Sequence, residues 1–139
     1  MNCYLDSSVL VSSLLPDDPD FVVCDALLAQ QGHWTTPHAL NETFATLTRG
    51  LLGTRIDADV AVRMIFESIV PCVQFVEVTA TDVIDAQASA RRHGVRGGAI
   101  YDFMHLVAAR KCAVKKLATL NANDFLHVRR EGDPAIERP

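Results

Sequence analysis

Cys3-Tyr4-Leu5-Asp6-Ser7-Ser8-Val9-Leu10-Val11 is the stretch whose reading decides the fold. Cys3-Tyr4-Leu5 reads as a short strand that stops at an acid. The apolar positions after it, Val9, Leu10, Val11, Leu14 and Leu15, have helical spacing, and Pro16 ends them. The same change of period recurs along the chain. Phe21 to Gln31 reads as a helix stopped by Gly32, and His33-Trp34-Thr35-Thr36 as a strand. Thr36-Pro37 is a helix start, a hydroxyl cap followed by proline at the first helical position. Leu40, Phe44, Leu47 and Leu51 then form an apolar stripe, with Gly50 and Gly53 as the stop.

Asp57 opens a further helix through Val60, Met64, Ile65 and Ile69, closed before Pro71. Val73 to Val78 alternates apolar and polar residues, as a strand does. Thr81 or Asp82 caps a helix running to His93, with Gly94 after it. Gly97-Gly98 leads into a helix from Ala99 to about Cys112, whose end carries Arg110 and Lys111 where the dipole favours cations. Leu117-Ala118-Thr119 is a strand, Asn123 to Val128 a short helix or turn, and Ala135-Ile136-Glu137 an edge strand. Strands separated by helices imply parallel pairing with helices on both faces, so the expectation is a three-layer α/β/α fold with a mainly parallel sheet. Open sheets of this kind bind ligands beyond the carboxyl ends of their strands.

The bulk composition agrees with one globular domain over residues 1–139. Of the 139 residues 49% are hydrophobic and 22% charged, and the formal charge of −4 makes a poor general binder of polyanions. Carboxylates that hold cations would offset that objection locally. Cys3, Cys24, Cys72 and Cys112 show no metal-site spacing and read as small buried hydrophobes suited to a reducing compartment. The N-terminus lacks the basic and apolar regions of a secretion signal, and no apolar run nears the roughly 18 residues of a membrane span. A cytoplasmic chain is expected. Arg129-Arg130-Glu131-Gly132-Asp133-Pro134 is polar and turn-rich, the one stretch where disorder is expected.

Four acids follow or adjoin expected strand ends. Asp6 follows the first strand, where an acid taken by itself reads first as the cap of the next helix. Glu42 lies off the apolar stripe of its helix and reads by itself as a surface acid, with His38 one turn earlier on its face. Asp102 lies in the first turn of a helix among Ile100, Tyr101, Phe103, Met104 and Leu106, so its carboxylate is expected to be partly buried. Asp124 follows the strand ending at Thr119, where an Asx turn or a cap is the plain alternative. Several carboxylates at one sheet edge repel one another, and a hard divalent cation such as Mg²⁺ or Mn²⁺ removes that cost. Such a set points to phosphodiester hydrolysis. Arg49, Arg55, Arg91, Arg92 and Arg96 are candidate phosphate contacts, Arg96 foremost because it precedes Gly97-Gly98 near Asp102. His38 and His105 could carry protons near neutrality, but a structural role is favoured for both.

Four segments carry a family resemblance: Tyr4-Leu5-Asp6-Ser7-Ser8-Val9-Leu10, Thr36-Pro37-His38-Ala39-Leu40-Asn41-Glu42, Gly97-Gly98-Ala99-Ile100-Tyr101-Asp102, and Leu117-Ala118-Thr119-Leu120-Asn121-Ala122-Asn123-Asp124-Phe125. In this order they span nearly the whole chain and resemble PIN-domain ribonucleases, in particular VapC-type toxins of toxin–antitoxin pairs. The resemblance implies Mg²⁺- or Mn²⁺-dependent endonucleolytic cleavage of RNA. It also implies inhibition by a cognate VapB-type antitoxin, and commonly a homodimer. It assigns metal binding to Asp6, Glu42 and Asp102, with Ser8 as a small hydroxyl residue near the site. The fourth acid is Asp124, with Thr119 and Asn121 as neighbours, although some members carry an acid where this chain has Asn121. The helices expected over Phe21–Gln31 and Thr36–Gly50 offer apolar faces for an antitoxin segment.

Three other readings compete. A phosphotransfer protein using Asp6 as acceptor would want an acid at position 8, where Ser8 stands, or an acidic pair nearer the start than Asp17-Asp18. A non-catalytic RNA- or partner-binding module would not need all four acids. A PIN-domain nuclease that processes RNA without an antitoxin would carry the same residues.

Overall fold

The computed structural model describes residues 2–50 and 55–139; Leu51 and Gly53, expected to finish the third helix and its stop, lie outside them. Five short parallel strands form one sheet in the order β3-β2-β1-β4-β5. They are β1 (Tyr4–Leu5), β2 (His33–Thr35), β3 (Val73–Phe75), β4 (Lys116–Ala118) and β5 (Ala135–Glu137). The helices are α1 (Ser7–Ser12), α2 (Phe21–Ala29), α3 (Pro37–Arg49), α4 (Ala58–Ser68), α5 (Ala80–Ser89), α6 (Ala99–Lys111) and α7 (Ala122–Val128).

β1 lies at the centre because both its residues are apolar and fully buried, one toward each face. Leu5 joins a core built with α1, α2, α3 and α4 through Leu10, Cys24, Leu47 and Ile65. Tyr4 joins a second core on the opposite face, with Phe103 and Leu106 of α6 and Phe125 of α7. The register extends this division, since Tyr4 pairs with Trp34 and Leu117, and Leu5 pairs with Ala118. A parallel sheet covered on both faces follows from helical crossovers, and the expected α/β/α layering is observed.

Sequence order runs outward from β1 to β2 and β3, then returns to β4 on the other side of β1. The reversal opens a crevice between the carboxyl ends of β1 and β4, where such sheets take their ligands. Asp6 follows β1 and Thr119 follows β4 at this point.

Element ends differ from expectation in identifiable ways. α1 stops at Ser12, so Leu14 and Leu15 pack from the turn before Pro16. α2 stops at Ala29, and Gln31 and Gly32 both have positive φ (61° and 79°), which turns the chain into β2. Gly50, at φ 83°, provides the left-handed residue that ends α3. The strand expected over Val73 to Val78 ends at Phe75. α5 is capped by Thr79, not by Thr81 or Asp82: Thr79 Oγ1 accepts from the Asp82 amide at 3.1 Å, and Asp82 Oδ2 accepts from the Thr79 amide at 2.9 Å. This reciprocal box satisfies two amides that a later cap would leave open.

The tail expected to be disordered is instead ordered around a buried acid. Asp133 accepts from Arg130 Nε (3.1 Å) and Nη2 (3.0 Å) and from the Arg130 amide (2.8 Å), and it forms an ion pair with Arg110, whose Nε lies 2.9 Å away. Arg130 also lies over the Phe103 ring at 4.7 Å. This knot holds the approach to β5, and Arg138 beyond it grips both carboxylate oxygens of Asp20. Among the described residues, large apolar side chains are left uncovered on α2 (Val22, Val23), α4 (Val60, Val62, Phe66), α5 (Ile84), α6 (Tyr101) and α7 (Leu126), whereas α3 buries Ala39 and Leu47. Leu40 and Phe44 on the stripe of α3 are only partly buried.

Candidate active site at the carboxyl edge of the sheet

Asp6 is both helix cap and buried acid, so the two readings open in the sequence coincide. Its Oδ1 accepts from the amides of Ser8 (3.0 Å) and Val9 (3.4 Å) and from Ser8 Oγ (2.5 Å). Its Oδ2 accepts from Thr119 Oγ1 at 2.8 Å. Ser8 Oγ also accepts from the Leu120 amide at 2.9 Å, so one cluster ties the end of β1 to the end of β4. Ser8 and Thr119, singled out as supporting residues, thus sit directly on Asp6. Burial raises the Asp6 carboxyl above the usual range, and the hydrogen bonds from Ser8 and Thr119 work against that rise.

Glu42 is not the surface acid its position on α3 suggests. Its Oε1 accepts from His105 Nε2 at 2.6 Å, and His38 Nε2 stands 3.8 Å away. A carboxylate only accepts, so Nε2 of His105 carries the proton. The other ring nitrogen, Nδ1, lies 2.6 Å from the Tyr4 hydroxyl, which lies 3.4 Å from Thr36 Oγ1. His105 and Tyr4 are buried, and desolvation holds Tyr4 protonated. Burial pushes Glu42 up, but the hydrogen bond and charge of His105 outweigh it and leave the carboxyl below its ordinary value. The sequence reading missed this Thr36–Tyr4–His105–Glu42 line. The available cue was the spacing of His105 from Asp102, three residues along α6 and so on the same face.

Asp102 lies in the first turn of α6, half-buried as expected. Burial is the largest influence on it and raises its pKa to about 6; His105 lowers it, while Asp124, Asp6 and Glu42 raise it in that order. The charges of the other three acids are thus felt at Asp102. Asp124 is exposed in the first turn of α7, and Asn121 precedes that helix without a side-chain cap bond. Arg96 is exposed just before Gly97, and its carbonyl accepts the Ala99 amide at the start of α6. Among the described residues, Asp6, Asp102 and Asp124 have no ion-pair partner. Among the same residues, no three His, Cys, Asp or Glu side chains stand ready-made as a metal-holding group.

None of the curated proteins compared with this sequence matches it significantly. Two solved structures resemble the fold. VapC20 of Mycobacterium tuberculosis, described as a sarcin–ricin loop cleaving toxin, superposes with a TM-score of 0.71 at 21% identity, over 96% of this chain and 100% of that one. FitAcB from Neisseria gonorrhoeae gives 0.65 at 18% identity, over 99% and 97%. The family model of the PIN domain matches residues 3–131, which takes in the strands from β1 to β4, every helix and the acids at the sheet edge. The chain belongs to the PIN domain family.

Proposed function

We propose that this chain is a Mg²⁺- or Mn²⁺-dependent endoribonuclease and the toxin of a toxin–antitoxin pair. The observation that carries this reading is Asp102, half-buried at the start of α6, whose pKa is raised by burial and then by the charges of Asp124, Asp6 and Glu42, while among the described residues no lysine or arginine pairs with Asp6, Asp102 or Asp124. In charge and atom type the set fits a hard divalent cation. Asp6, Asp102 and Glu42 would hold it, and Asp124 would complete the set directly or through water. Asp6 and Glu42 are held by their hydrogen bonds, whereas Asp102 and Asp124 would turn toward the cation to close the set. When bound, the cation lowers the pKa of a water and stabilises charge on the phosphoryl oxygens.

The chain's own residues do the rest. Ser8 and Thr119 orient Asp6, and His105 orients Glu42. Arg96, exposed just before α6, would meet a substrate phosphate. The expected result is RNA cleavage with Mg²⁺ or Mn²⁺ and none with EDTA. Tight binding of RNA without cleavage of any would favour a non-catalytic module instead. Asp124→Ala should slow cleavage less than Asp102→Ala does, and Asn121→Ala should do little; the reverse order in measured rates would move the fourth position to Asn121.

The description of VapC20 as a toxin and the resemblance of the four sequence segments support an antitoxin partner; the homodimer follows from the resemblance alone. The uncovered residues Val22 and Val23 of α2 suit an apolar segment of that partner. Co-expression of the neighbouring upstream gene should suppress toxicity; failure to do so would favour an RNA-processing nuclease that acts without an antitoxin.

A further inference from the structure

Beside the acids lies a groove of about 630 Å³, between the start of α3, α5 and the first turns of α6. Val78, Val83, Ile100 and Met104 form its apolar wall, and Tyr101 is 56% exposed on its lining. The His38 ring lies nearly parallel to that of Tyr101, at 12° with centroids 6.0 Å apart. Both His38 and His105 line the groove, and both reach Glu42 on their other side. An occupant therefore sits one side chain away from the acid set.

We propose that this groove is a nucleobase site, in which an unstacked base next to the cleaved bond lies against Tyr101. The proposal rests on the nuclease reading above and names how its substrate is gripped. The groove's size is that of a small-ligand pocket, roughly 300–1,000 Å³. Its charge also selects the base over the backbone: the lining residues include Glu77 and no lysine or arginine, so a phosphate is disfavoured where a neutral ring is not. Single-stranded nucleic acid is commonly held by stacking bases on aromatic faces, with phosphates placed elsewhere. Gln87 on α5 supplies an amide, donor and acceptor together, within reach of a base edge.

The test uses a short single-stranded RNA carrying 2-aminopurine, whose fluorescence is quenched by stacking. Titration with the wild-type protein should quench it. Tyr101→Ala should abolish most of the quenching and raise KM about tenfold, the loss expected for one base stack, with a smaller change in kcat. Tyr101→Phe should retain both properties. Gln87→Ala, on a different helix, should raise KM for some bases more than others and guards against a folding defect in the first variant. Unchanged quenching and KM in Tyr101→Ala would overturn the proposal. So would a Tyr101→Ala protein that loses only its antitoxin, which would make the groove a peptide site. If the wild type cleaves no RNA yet quenches through Tyr101, the base site stands and the nuclease reading falls.

Discussion

Asp102→Asn is expected to abolish RNA cleavage and at the same time to stabilise the metal-free protein. Loss of a group that fixes charge in the transition state costs about 10²–10³ in rate, and removing a carboxylate that holds the cation should cost at least that. The stability gain comes from the same residue. Burial and three neighbouring carboxylates raise its pKa from 3.8 to about 6. The folded chain therefore disfavours the ionised form. The penalty is absent below the unfolded value of 3.8, grows between there and about 6, and is complete above that. At 1.36 kcal/mol per pH unit the bound is about 3 kcal/mol, and partial exposure reduces it to about 1–2. Thermal denaturation near pH 7.5 in EDTA should show the variant melting roughly 3–6 °C higher, with the difference vanishing below pH 4. A lower melting temperature for the variant would make Asp102 a structural acid.

Asp133→Ala is expected to be the most damaging single change to the fold outside the two cores. The Asp133 side chain is fully buried and satisfies Arg130 and Arg110 together. Truncation leaves Arg130, itself 18% exposed at its side chain, without its counter-charge against Phe103. Breaking a buried pair by removing one partner costs 3–5 kcal/mol, and the half-exposed Arg110 recovers water, so a loss of about 3 kcal/mol follows. Urea denaturation should place the midpoint of Asp133→Ala well below that of the wild type. An unchanged midpoint would mean that the tail does not anchor β5.

These two acids mark what could and could not be read from residues in order. Asp102 was legible because its neighbours Ile100, Tyr101, Phe103 and Met104 leave a carboxylate there no fully solvated face. Asp6 was legible because a strand-to-helix change of period stops on it. Asp133 sits among Arg129, Arg130, Glu131 and Gly132, a composition shared by solvated loops, and its partner Arg110 comes from α6, far off in sequence. Glu42 was misread in isolation for a similar reason: its local face is polar, and the group that draws it inward, His105, lies 63 positions away. β1, β2 and β3 were expected too long and β4 one residue late, because runs of two or three residues carry too few alternations to fix an end, whereas β5 has its expected bounds. Thr79 was hidden as a cap because the alternation through Val78 reads as a continuing strand.

The central claim, that these acids act together by holding a divalent cation for RNA hydrolysis, is tested most directly by titrating Mn²⁺ into the protein calorimetrically while assaying RNA cleavage. The wild type should bind Mn²⁺ and gain cleavage in step with occupancy, and Asp102→Asn should show neither. Cleavage that persists in full chelation, or Mn²⁺ binding and activity that survive in Asp102→Asn, would contradict it.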